Sequence, residues 1–434
     1  MTREAWVVVD LGYGDQGKGT IVDFLTRDRG ATAVVRSNGG AQAGHNVVTP
    51  DGRHHTFAQF GAGSFVEGVE TWLTEDFVLQ PWAMVYEAEH LARVGVADVF
   101  ARTYIDPGAV VITPFHGAAN RLRERARGAA RHGSCGVGVG EAVSDAREGA
   151  DDVVRAGELF DRVTLRAKLS RAQRRKRREL SSVMQSLRDD PSAREDLDDL
   201  DDPRTVDVAV DLLAGFVERA RLSEEGAFDA MLLREGAVVF EGAQGVLLDE
   251  WRGFHPYTTW STCTPHNARR ALAGYEGEVT VLGVLRAYAT RHGAGPFVTE
   301  DAAITRAISD VHNATHPWQG AFRVGCFDAV ATRYAVAACE GVDALAVTCL
   351  DRLTPDAHRV ATAYARGDER VTALPMGERG DLAHQEALTA SLAGVVPVYE
   401  RVPEGEMVGA IERACGVRVT LTSAGPTAEA KRWR

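Results

Sequence analysis

A glycine-rich segment that carries one carboxylate and one lysine follows the first apolar run of the chain. Residues 7–20 read VVVDLGYGDQGKGT. The glycines let backbone N–H groups approach an anion closely, and the apolar run that follows predicts a helix whose N-terminus faces that anion. They are Gly12, Gly14, Gly17 and Gly19. The segment therefore predicts a phosphate-binding loop between a strand and a helix.

Asp15 and Lys18 are the side chains of this loop that could do chemistry. The spacing differs from a Walker A motif, because an acid and a glutamine occupy the middle of the loop. A carboxylate beside phosphates repels them unless it holds a metal ion or takes a proton from a substrate. Lys18 would add a mobile positive charge. The alternative interpretation is a plain glycine-rich turn.

His45 ends a second glycine-rich segment, residues 38–45, NGGAQAGH. Such a loop can bring backbone carbonyls to a metal ion and an imidazole to a phosphate oxygen. A histidine in a glycine-rich loop has no apolar face that would explain it, although a lone histidine is more often inert. Next to the Asp15 loop, we interpret His45 as catalytic.

Three further loops are candidates for substrate contacts. Residues 131–140 contain alternating glycines, but they follow a helical rather than a strand-like pattern, which favours a substrate loop over a dinucleotide fingerprint. Residues 241–245, EGAQG, follow a predicted strand and present the amide of Gln244. Residues 258–264 are rich in hydroxyl groups, among them Thr259. A tight turn and a capped loop are the alternatives for the last two.

Asp351 and the segment 422–426, TSAGP, could together form a base pocket. A carboxylate that accepts hydrogen bonds from a ring N–H and an exocyclic amine selects guanine, because adenine offers no such pair of donors. A surface aspartate is an equally good interpretation of this residue by itself.

The elements that must position these loops follow an α/β pattern. Strand-like runs alternate with helical stretches, which predicts a large, mostly parallel central sheet with surrounding helices. In such sheets ligands bind at the carboxyl ends of strands. The predicted strands are 6–9, 32–36, 109–112, 237–240, 279–285 and 344–348, and two of the predicted helices are 83–94 and 329–339.

Composition limits the classes of function. The 434 residues are 45% hydrophobic and carry a formal charge of −12, which argues against a nucleic-acid-binding surface. No apolar run is long enough for a membrane span, and a strand begins within six residues of Met1, so we expect a cytoplasmic protein. The six cysteines form no C-x-x-C pair and are expected to be reduced.

The chain is expected to form one domain, residues 1–434, with a mostly helical insertion at about 150–236. This segment contains a basic run at 174–178 and an acidic stretch at 196–202. Because the acidic stretch closely follows the basic run in sequence, we interpret the basic run as a solvated helix face rather than as a nucleic-acid site.

In this order, the motifs resemble those of the adenylosuccinate synthetase family, GTP-dependent ligases that join aspartate to inosine monophosphate (IMP). The matching segments span nearly the whole chain: GDQGKG at 14–19, NGGAQAGH at 38–45, FEGAQGVLLD at 240–249, YATRHGAGPF at 288–297, LD at 350–351 and SAGP at 423–426. The resemblance implies an α/β fold with a P-loop-like phosphate cradle, usually assembled as a homodimer.

The resemblance also implies roles for individual residues. Asp15 would be the base and a Mg²⁺ ligand, His45 the acid, Lys18 a charge on the phosphates, and the Gly44 carbonyl a second Mg²⁺ ligand. The nucleotide residues would be Gly14, Gln16, Gly17, Gly19, Thr20, Asp351, Ser423 and Gly425. The substrate residues would be Asn38, Gln42, Ser134, Cys135, Gln244, Thr259, His292, Thr315, Trp318 and Arg323.

Departures from the family pattern cluster around the substrates. Cys349 replaces the lysine that lies against guanine, and Gln42 replaces the asparagine that holds the substrate phosphate. The family's Thr-Thr-Gly-Arg loop is SCGV at 134–137, and Arg147 is the nearest candidate for the arginine that reaches across the dimer. In the loop that receives aspartate, residues 315–323 read THPWQGAFR and leave Arg323 as the one arginine.

We therefore expect a GTP- and Mg²⁺-dependent ligase that phosphorylates a lactam or amide oxygen and displaces the phosphate with an amine. Acceptor and amine are expected to have diverged from IMP and aspartate. The alternatives are an ordinary adenylosuccinate synthetase and a catalytically inactive GTP-binding regulator.

Overall fold

The computed structural model describes residues 3–308, 318 and 320–434. Its strands are β1 (Arg3–Asp10), β2 (Ala31–Arg36), β3 (His45–Val48), β4 (His54–Phe57), β5 (Glu70–Leu73), β6 (Val78–Leu79), β7 (Thr103–Ile105), β8 (Val110–Val111), β9 (Gly236–Glu241), β10 (Glu278–Arg286), β11 (Ala289–His292), β12 (Phe322–Gly325), β13 (Phe327–Asp328), β14 (Ala344–Thr348), β15 (Arg359–Arg366), β16 (Glu369–Val371), β17 (Val396–Arg401), β18 (Val419–Ser423) and β19 (Lys431–Trp433).

The α-helices connect these strands and cover the sheet. They are α1 (Lys18–Asp28), α2 (Pro81–Arg93), α3 (Pro114–Arg127), α4 (Val139–Arg147), α5 (Arg162–Glu179), α6 (Ser181–Ser186), α7 (Arg194–Asp201), α8 (Thr205–Val217), α9 (Ala227–Leu232), α10 (His266–Ala271), α11 (Ala302–Ala307), α12 (Ala329–Ala338), α13 (Leu382–Ser391) and α14 (Met407–Cys415).

A nine-stranded sheet forms the centre of the fold, in the order β19-β18-β14-β10-β1-β9-β2-β5-β7. All neighbouring strands run parallel except β18 and β19, which are antiparallel. The predicted fold class, a large and mostly parallel sheet with surrounding helices, is confirmed.

Strand β1 lies in the middle of the sheet and is buried on both faces. Its side chains alternate between the two cores: Trp6 and Val8 pack into one, Val7 and Val9 into the other. Period-two alternation puts successive side chains on opposite faces, so a strand that is apolar throughout needs helices on both sides. The loop after β1 therefore begins at a rigid point.

Not every predicted strand belongs to this sheet. The predicted strand 109–112 is the two-residue β8, which pairs with β6 in a separate small sheet. Four strands of the central sheet, β5, β7, β18 and β19, were not predicted from the sequence. With three to five residues each, these strands are too short for a periodicity to stand out.

The named elements between residues 156 and 232 are all helical. The basic run at 174–178 lies in α5, but the interpretation as a solvated face is wrong for two of its residues. Arg175 donates to Asp145 and Asp152, and the buried ammonium of Lys176 lies 2.7 Å from Asp145. That the segment is an insertion into a single domain stays a prediction. In the described part of the chain, no helix is long and apolar enough to cross a membrane.

The central strands should control stability. Leu282 of β10 is fully buried, so Leu282→Ala is expected to lower the free energy of unfolding by about 2–5 kcal/mol through lost burial and the cavity left behind. Val279→Ala, in the same strand but 37% exposed, is the matched control and should change it far less. Denaturant titration followed by circular dichroism measures both, and equal effects would contradict this account of the core.

Candidate active site

A cavity of ≈ 1340 Å³ opens at the carboxyl ends of the central strands and brings most of the predicted site residues together. Predicted residues that line it are Gly14, Asp15, Gly17, Lys18, Gly19, Thr20, Gln42, Gly44, His45, Ser134, Cys135, Gln244, Thr259, His292, Asp351, Ser423 and Gly425. Gln16, Asn38, Trp318 and Arg323 are not among its lining residues. Thr315 lies outside the described residues.

The phosphate-binding loop is gathered around the buried carboxylate of Asp10, at the end of β1. The backbone N–H groups of Gly12, Gly14 and Gln16 donate to it over 2.9, 3.2 and 3.2 Å. The ammonium of Lys18 lies 2.7 Å from the same carboxylate, and both side chains are buried. The prediction that Lys18 is mobile is therefore wrong, because this ion pair fixes its charge at the floor of the cavity.

The N-terminus of α1 faces the cavity without a side-chain cap. Gly17, the residue before the helix, has a φ of 90° and no side chain that could accept a hydrogen bond from the first N–H groups of α1. The first backbone N–H groups of a helix have no partners within it and favour an anion. A side chain at Gly19 would lie 2.8 Å from the Cβ of His45, so glycine is required for α1 to approach β3 this closely.

Asp15 is directed into the cavity by an uncommon backbone conformation. Its φ is 58°, and its carbonyl oxygen accepts a hydrogen bond from the guanidinium of Arg286. The side chain is partly exposed, and one carboxylate oxygen lies 3.4 Å from Nε2 of His292. The structure therefore places a carboxylate and an imidazole from distant parts of the chain side by side.

His45 is held by a carboxylate that the sequence analysis did not identify. Its Nδ1 forms a short hydrogen bond with Glu241, at the end of β9, and both residues are buried. Burial lowers the pKa of His45 to about 4, against the opposing effect of Glu241. Burial alone would raise the pKa of Glu241, but the nearby charge of Arg36 and hydrogen bonds from His45 and the Ala62 backbone lower it.

The pKa shifts of His45 and Glu241 indicate one protonation state for this pair. An ionised Glu241 accepts the proton on Nδ1 of a neutral His45, so Nε2 is the ring nitrogen left for the cavity. An anion that entered beside Nε2 would favour the imidazolium and raise the pKa of His45.

Gln16 supports the loop from behind instead of lining the cavity. Its amide donates to the Gly14 carbonyl over 3.0 Å and to Thr290 over 3.3 Å, and its Oε1 accepts from the Arg286 backbone over 2.6 Å. The prediction that this side chain contacts the nucleotide is therefore not supported by its position, because the amide is engaged with β10 and β11.

Asn38 has the same kind of supporting role. Its amide donates to the carbonyl of Ala243 over 3.1 Å and accepts from the Ala243 N–H over 2.9 Å. It thus holds the 241–245 loop in place and does not reach the cavity, contrary to its predicted substrate contact.

Gln42 and Gln244 present the unsatisfied amides of the site. Neither side chain has a hydrogen-bond partner within the described part of the chain, although their amide atoms are inaccessible to solvent. A buried amide without a partner costs free energy, and both residues line the cavity. Thr259 also lines the cavity, and its backbone N–H donates to the Leu248 carbonyl over 2.8 Å.

The candidate base pocket lies where β14 and β18 end. Cys349 has a φ of 56° and leads into the turn that carries the exposed Asp351. Ser423 donates to the Gly425 carbonyl over 3.1 Å, and Thr20 donates to the Pro426 carbonyl over 2.6 Å. The Asp351 carboxylate, residues 423–427 (the base loop) and the N-terminus of α1 are thus adjacent.

The 131–140 loop closes another side of the cavity. The hydroxyl of Ser134 exchanges hydrogen bonds of 3.0 and 3.2 Å with the amide of Asn120. Burial raises the pKa of Cys135, so this thiol stays neutral and contributes no charge. This wall therefore offers hydroxyl, thiol and backbone groups to a substrate, together with the imidazole of His132.

Arg147, the candidate for a reach across a dimer, is engaged within its own chain, and that role stays a prediction. Its guanidinium pairs with Glu250 and lies 4.8 and 5.0 Å from the ring centroids of Trp251 and Trp260. Because these contacts are within its own chain and Arg147 does not line the cavity, a reach across a dimer would require breaking them.

Arg323, the one arginine of the predicted amine loop, is also engaged elsewhere. It lies 2.7 Å from Glu300 and donates to the carbonyls of Gly293 and Gly295. Trp318 packs against the 131–140 loop, where a side chain at Gly136 would lie 3.1 Å from its indole. The structure therefore does not place Arg323 or Trp318 where the predicted substrate contacts require them.

Several functional residues escaped the sequence analysis. Asp10 and Glu241 end buried strands, a position that could have identified them, since a carboxylate there needs a partner. Arg286 and Arg291 line the cavity, and Arg291 lies 4.2 Å from the ring centroid of Tyr13. Arg291 stands within the quoted segment 288–297, but its burial beneath Tyr13 depends on tertiary packing.

The donor set of the cavity fits a magnesium ion. In the described ranges, no group of three or more His, Cys, Asp or Glu side chains could hold a metal. Mg²⁺ needs fewer protein ligands, because it commonly uses one or two carboxylates together with phosphate oxygens and water. Asp15 and Gly44, which both line the cavity, supply one carboxylate and one carbonyl for that purpose.

Comparison with known proteins agrees with this geometry. The adenylosuccinate synthetase family model matches residues 7–431. An adenylosuccinate synthetase from Pseudomonas paraeruginosa is 34% identical over 409 residues, covering 92% of this chain and 86% of the relative. One from Frankia alni is 32% identical over 439 residues, with 97% of each chain covered.

Two solved structures share the fold. Fully ligated adenylosuccinate synthetase from Plasmodium falciparum superposes with a TM-score of 0.75 at 20% identity, covering 99% of each chain. Succinoaminodeoxyadenylate synthetase from cyanophage S-2L, bound to dGMP and dATP as an energy donor, gives a TM-score of 0.61 at 17% identity, covering 100% of this chain and 96% of the other. The chain belongs to the adenylosuccinate synthetase family of GTP-dependent ligases that form C–N bonds.

Proposed function

We propose that this ligase activates the oxygen of a lactam or amide-type carbonyl with GTP and replaces it by an amine that is not aspartate. One contrast carries the proposal. Asp15, Lys18 and His45 converge on the cavity, whereas the arginine of the amine loop is paired with Glu300.

In the first step, Asp15 takes the proton from the lactam nitrogen, and the carbonyl oxygen attacks the γ-phosphorus of GTP. An O–P bond forms, the bond to the β-phosphate oxygen breaks, and GDP leaves. Asp15 suits this task because its carboxylate is partly exposed in the cavity, with His292 at 3.4 Å.

His45 holds a proton at Nε2 toward the transferring phosphoryl group. Glu241 fixes the ring through Nδ1. Burial favours the neutral imidazole, and an incoming phosphate favours its protonated form, so the acid is generated where it is needed.

Charge on the phosphates is balanced by groups fixed before substrate arrives. Lys18 and the N-terminus of α1 supply positive charge and N–H donors at the cradle. Asp15 and the Gly44 carbonyl would hold Mg²⁺, which neutralises phosphate charge during transfer.

In the second step, the amine attacks the activated carbon. The C–N bond forms, the C–O bond to phosphate breaks, the amine releases one proton to solvent, and Asp15 releases the proton that it took from the lactam nitrogen. The segments proposed to bind the two substrates of this step are those in which the chain departs from the family pattern.

A dicarboxylate amine is poorly served by the arginines of the 288–297 and 315–323 segments. Arg323 is engaged with Glu300 and two carbonyls. Arg291 lines the cavity, but its nitrogens donate to the carbonyls of Ala294, Pro296 and Tyr257 over 3.0, 2.8 and 3.4 Å. We therefore propose an amine with fewer negative charges than aspartate.

The acceptor is proposed to lack a 5′-phosphate. Gln42 and Cys135 bring a neutral amide and a neutral thiol, and Arg147 is paired with Glu250. Amides such as Gln42 and Gln244 suit the neutral hydroxyl and carbonyl groups of a nucleoside. A homodimer, a general feature of the family, is proposed for the assembly.

Two other functions are separated from this one by turnover. An ordinary adenylosuccinate synthetase would convert IMP and aspartate efficiently. A nucleotide-binding regulator would bind GTP and release no phosphate with any acceptor. The buried His45–Glu241 pair argues against the regulator, because binding alone does not require a positioned acid.

Loss of either proton-transfer group should abolish turnover. Asp15→Ala and His45→Ala are each expected to lower kcat by about 10²–10⁴-fold while the protein stays folded. Phosphate release measures turnover, and circular dichroism measures folding. Asp51→Ala, which removes an exposed carboxylate from the turn between β3 and β4, is the control. Turnover like that of the wild type in either variant would reject the mechanism.

Guanine selection should depend on Asp351. GTP is expected to outperform ITP, which lacks the exocyclic amine, and ATP. Asp351→Ala should reduce the ratio of kcat/KM for GTP over ATP by about 10–100-fold, the equivalent of about 1.5–3 kcal/mol for a hydrogen bond to a charged group. Equal wild-type turnover with ATP would show that Asp351 does not read the base.

Aspartate should be a poor amine donor. With GTP, Mg²⁺ and a panel of IMP, GMP, inosine and guanosine, hydroxylamine, a small uncharged amine, should support faster phosphate release than aspartate. Two missing charge-assisted pairs correspond to about 10²–10⁴-fold in kcat/KM. A kcat/KM of about 10⁴ M⁻¹s⁻¹ or more for aspartate with IMP would return the protein to purine synthesis.

A further inference from the structure

Lys431, in the last strand of the sheet, places a buried ammonium beneath the candidate base loop. The side chain is 2% exposed. Its Nζ donates to the carbonyls of Gly425 and Thr427 over 3.0 and 2.7 Å, and to the hydroxyl of Thr20. An ammonium has three N–H donors, so this set of acceptors uses all of them.

These contacts join two parts of the nucleotide site. Thr20 belongs to the first turn of α1, at the phosphate end, and Gly425 and Thr427 belong to the base loop. The hydroxyl of Thr20 also donates to the Pro426 carbonyl over 2.6 Å. A chain of hydrogen bonds therefore runs from Lys431 through the α1 helix to the base loop.

We propose that Lys431 is a positioning residue for the guanine nucleotide, because its ammonium holds the base loop at a fixed distance from the phosphate-binding helix. The proposal rests on the proposed use of GTP and of Asp351. The proposal places a positive charge, carried by a side chain of β19, beside the base pocket. In that pocket Cys349 occupies the position of the family's lysine.

The charges that surround Lys431 support this role. No carboxylate lies within 4 Å of its Nζ among the residues that the structure describes, so the ammonium is held by neutral oxygens. Burial lowers the pKa of Lys431 to about 8, against the opposing effects of Asp23 from α1 and of Cys349 and Asp351 from the turn after β14. Above that pH the amine has two donors for three acceptors, which loosens the base loop.

The same shift has an opposite effect on stability. A lysine with a lowered pKa in the fold is more protonated when unfolded, so between pH 8 and its usual value of 10.5 rising pH favours the folded state at this residue. A loss of nucleotide affinity over that range therefore cannot come from unfolding through Lys431.

The test compares Lys431→Met with Lys431→Arg by calorimetric titration of GDP at pH 7.0. Lys431→Met should weaken GDP binding by about 10–100-fold and raise the KM for GTP similarly, while kcat changes less than about threefold. Lys431→Arg should restore most of the affinity. Arg432→Met removes an exposed cation from the same strand and is the matched control.

Inorganic tripolyphosphate separates positioning from a general loss of structure. It contacts the phosphate cradle alone, so its affinity for Lys431→Met should stay within about threefold of the wild type. Between pH 7.0 and 8.5, GDP affinity of the wild type should fall about fourfold as the ammonium deprotonates, and that of Lys431→Arg should not.

Three results would overturn the proposal. They are unchanged GDP binding by Lys431→Met, equal weakening of GDP and tripolyphosphate, and failure of Lys431→Arg to restore affinity. A wild-type protein that bound tripolyphosphate but not GDP would instead overturn the proposed guanine nucleotide, and this role of Lys431 with it.

Discussion

The buried carboxylate of Asp10 is the constraint on which the site depends. It stands at the end of the central strand, where helices on both faces leave it no water, and it therefore needs several donors. The loop supplies them by folding back on itself, with three backbone N–H groups and the ammonium of Lys18 directed at one side chain. The path of the loop, and with it the direction of Asp15, follows from satisfying this charge.

A second buried carboxylate organises the neighbouring strand end in the same way. Glu241 is surrounded by Arg36, His45 and the Ala62 backbone, so its charge is satisfied within the protein while His45 remains available to the cavity. Burying charges in this way is costly unless each is paired, and the pairing leaves little freedom of orientation. Both groups proposed to move protons are thus held from behind by rigid strands.

Most departures from the family pattern lie away from the ends of β1 and β9, which hold the two proton-transfer groups. The Ser134 hydroxyl of the 131–140 loop, Arg147 and Arg323 each have partners within the protein in this chain. A fixed activation site beside adaptable substrate walls is a physical route by which one reaction type accepts new acceptors and amines.

The sequence by itself determined the fold class, the phosphate loop and the family, because strand periodicity and glycine spacing are local properties of the chain. It also predicted that Asp15 and His45, which belong to glycine-rich segments, lie at the site, and both line the cavity. Only the tertiary structure decided that Gln16 and Asn38 support loops, that Lys18 is paired with Asp10, and that Arg323 and Lys431 have the partners they have. The role of a side chain depends on which oxygen or charge, distant in sequence, it contacts in the folded protein. Motif spacing carries no information about that contact.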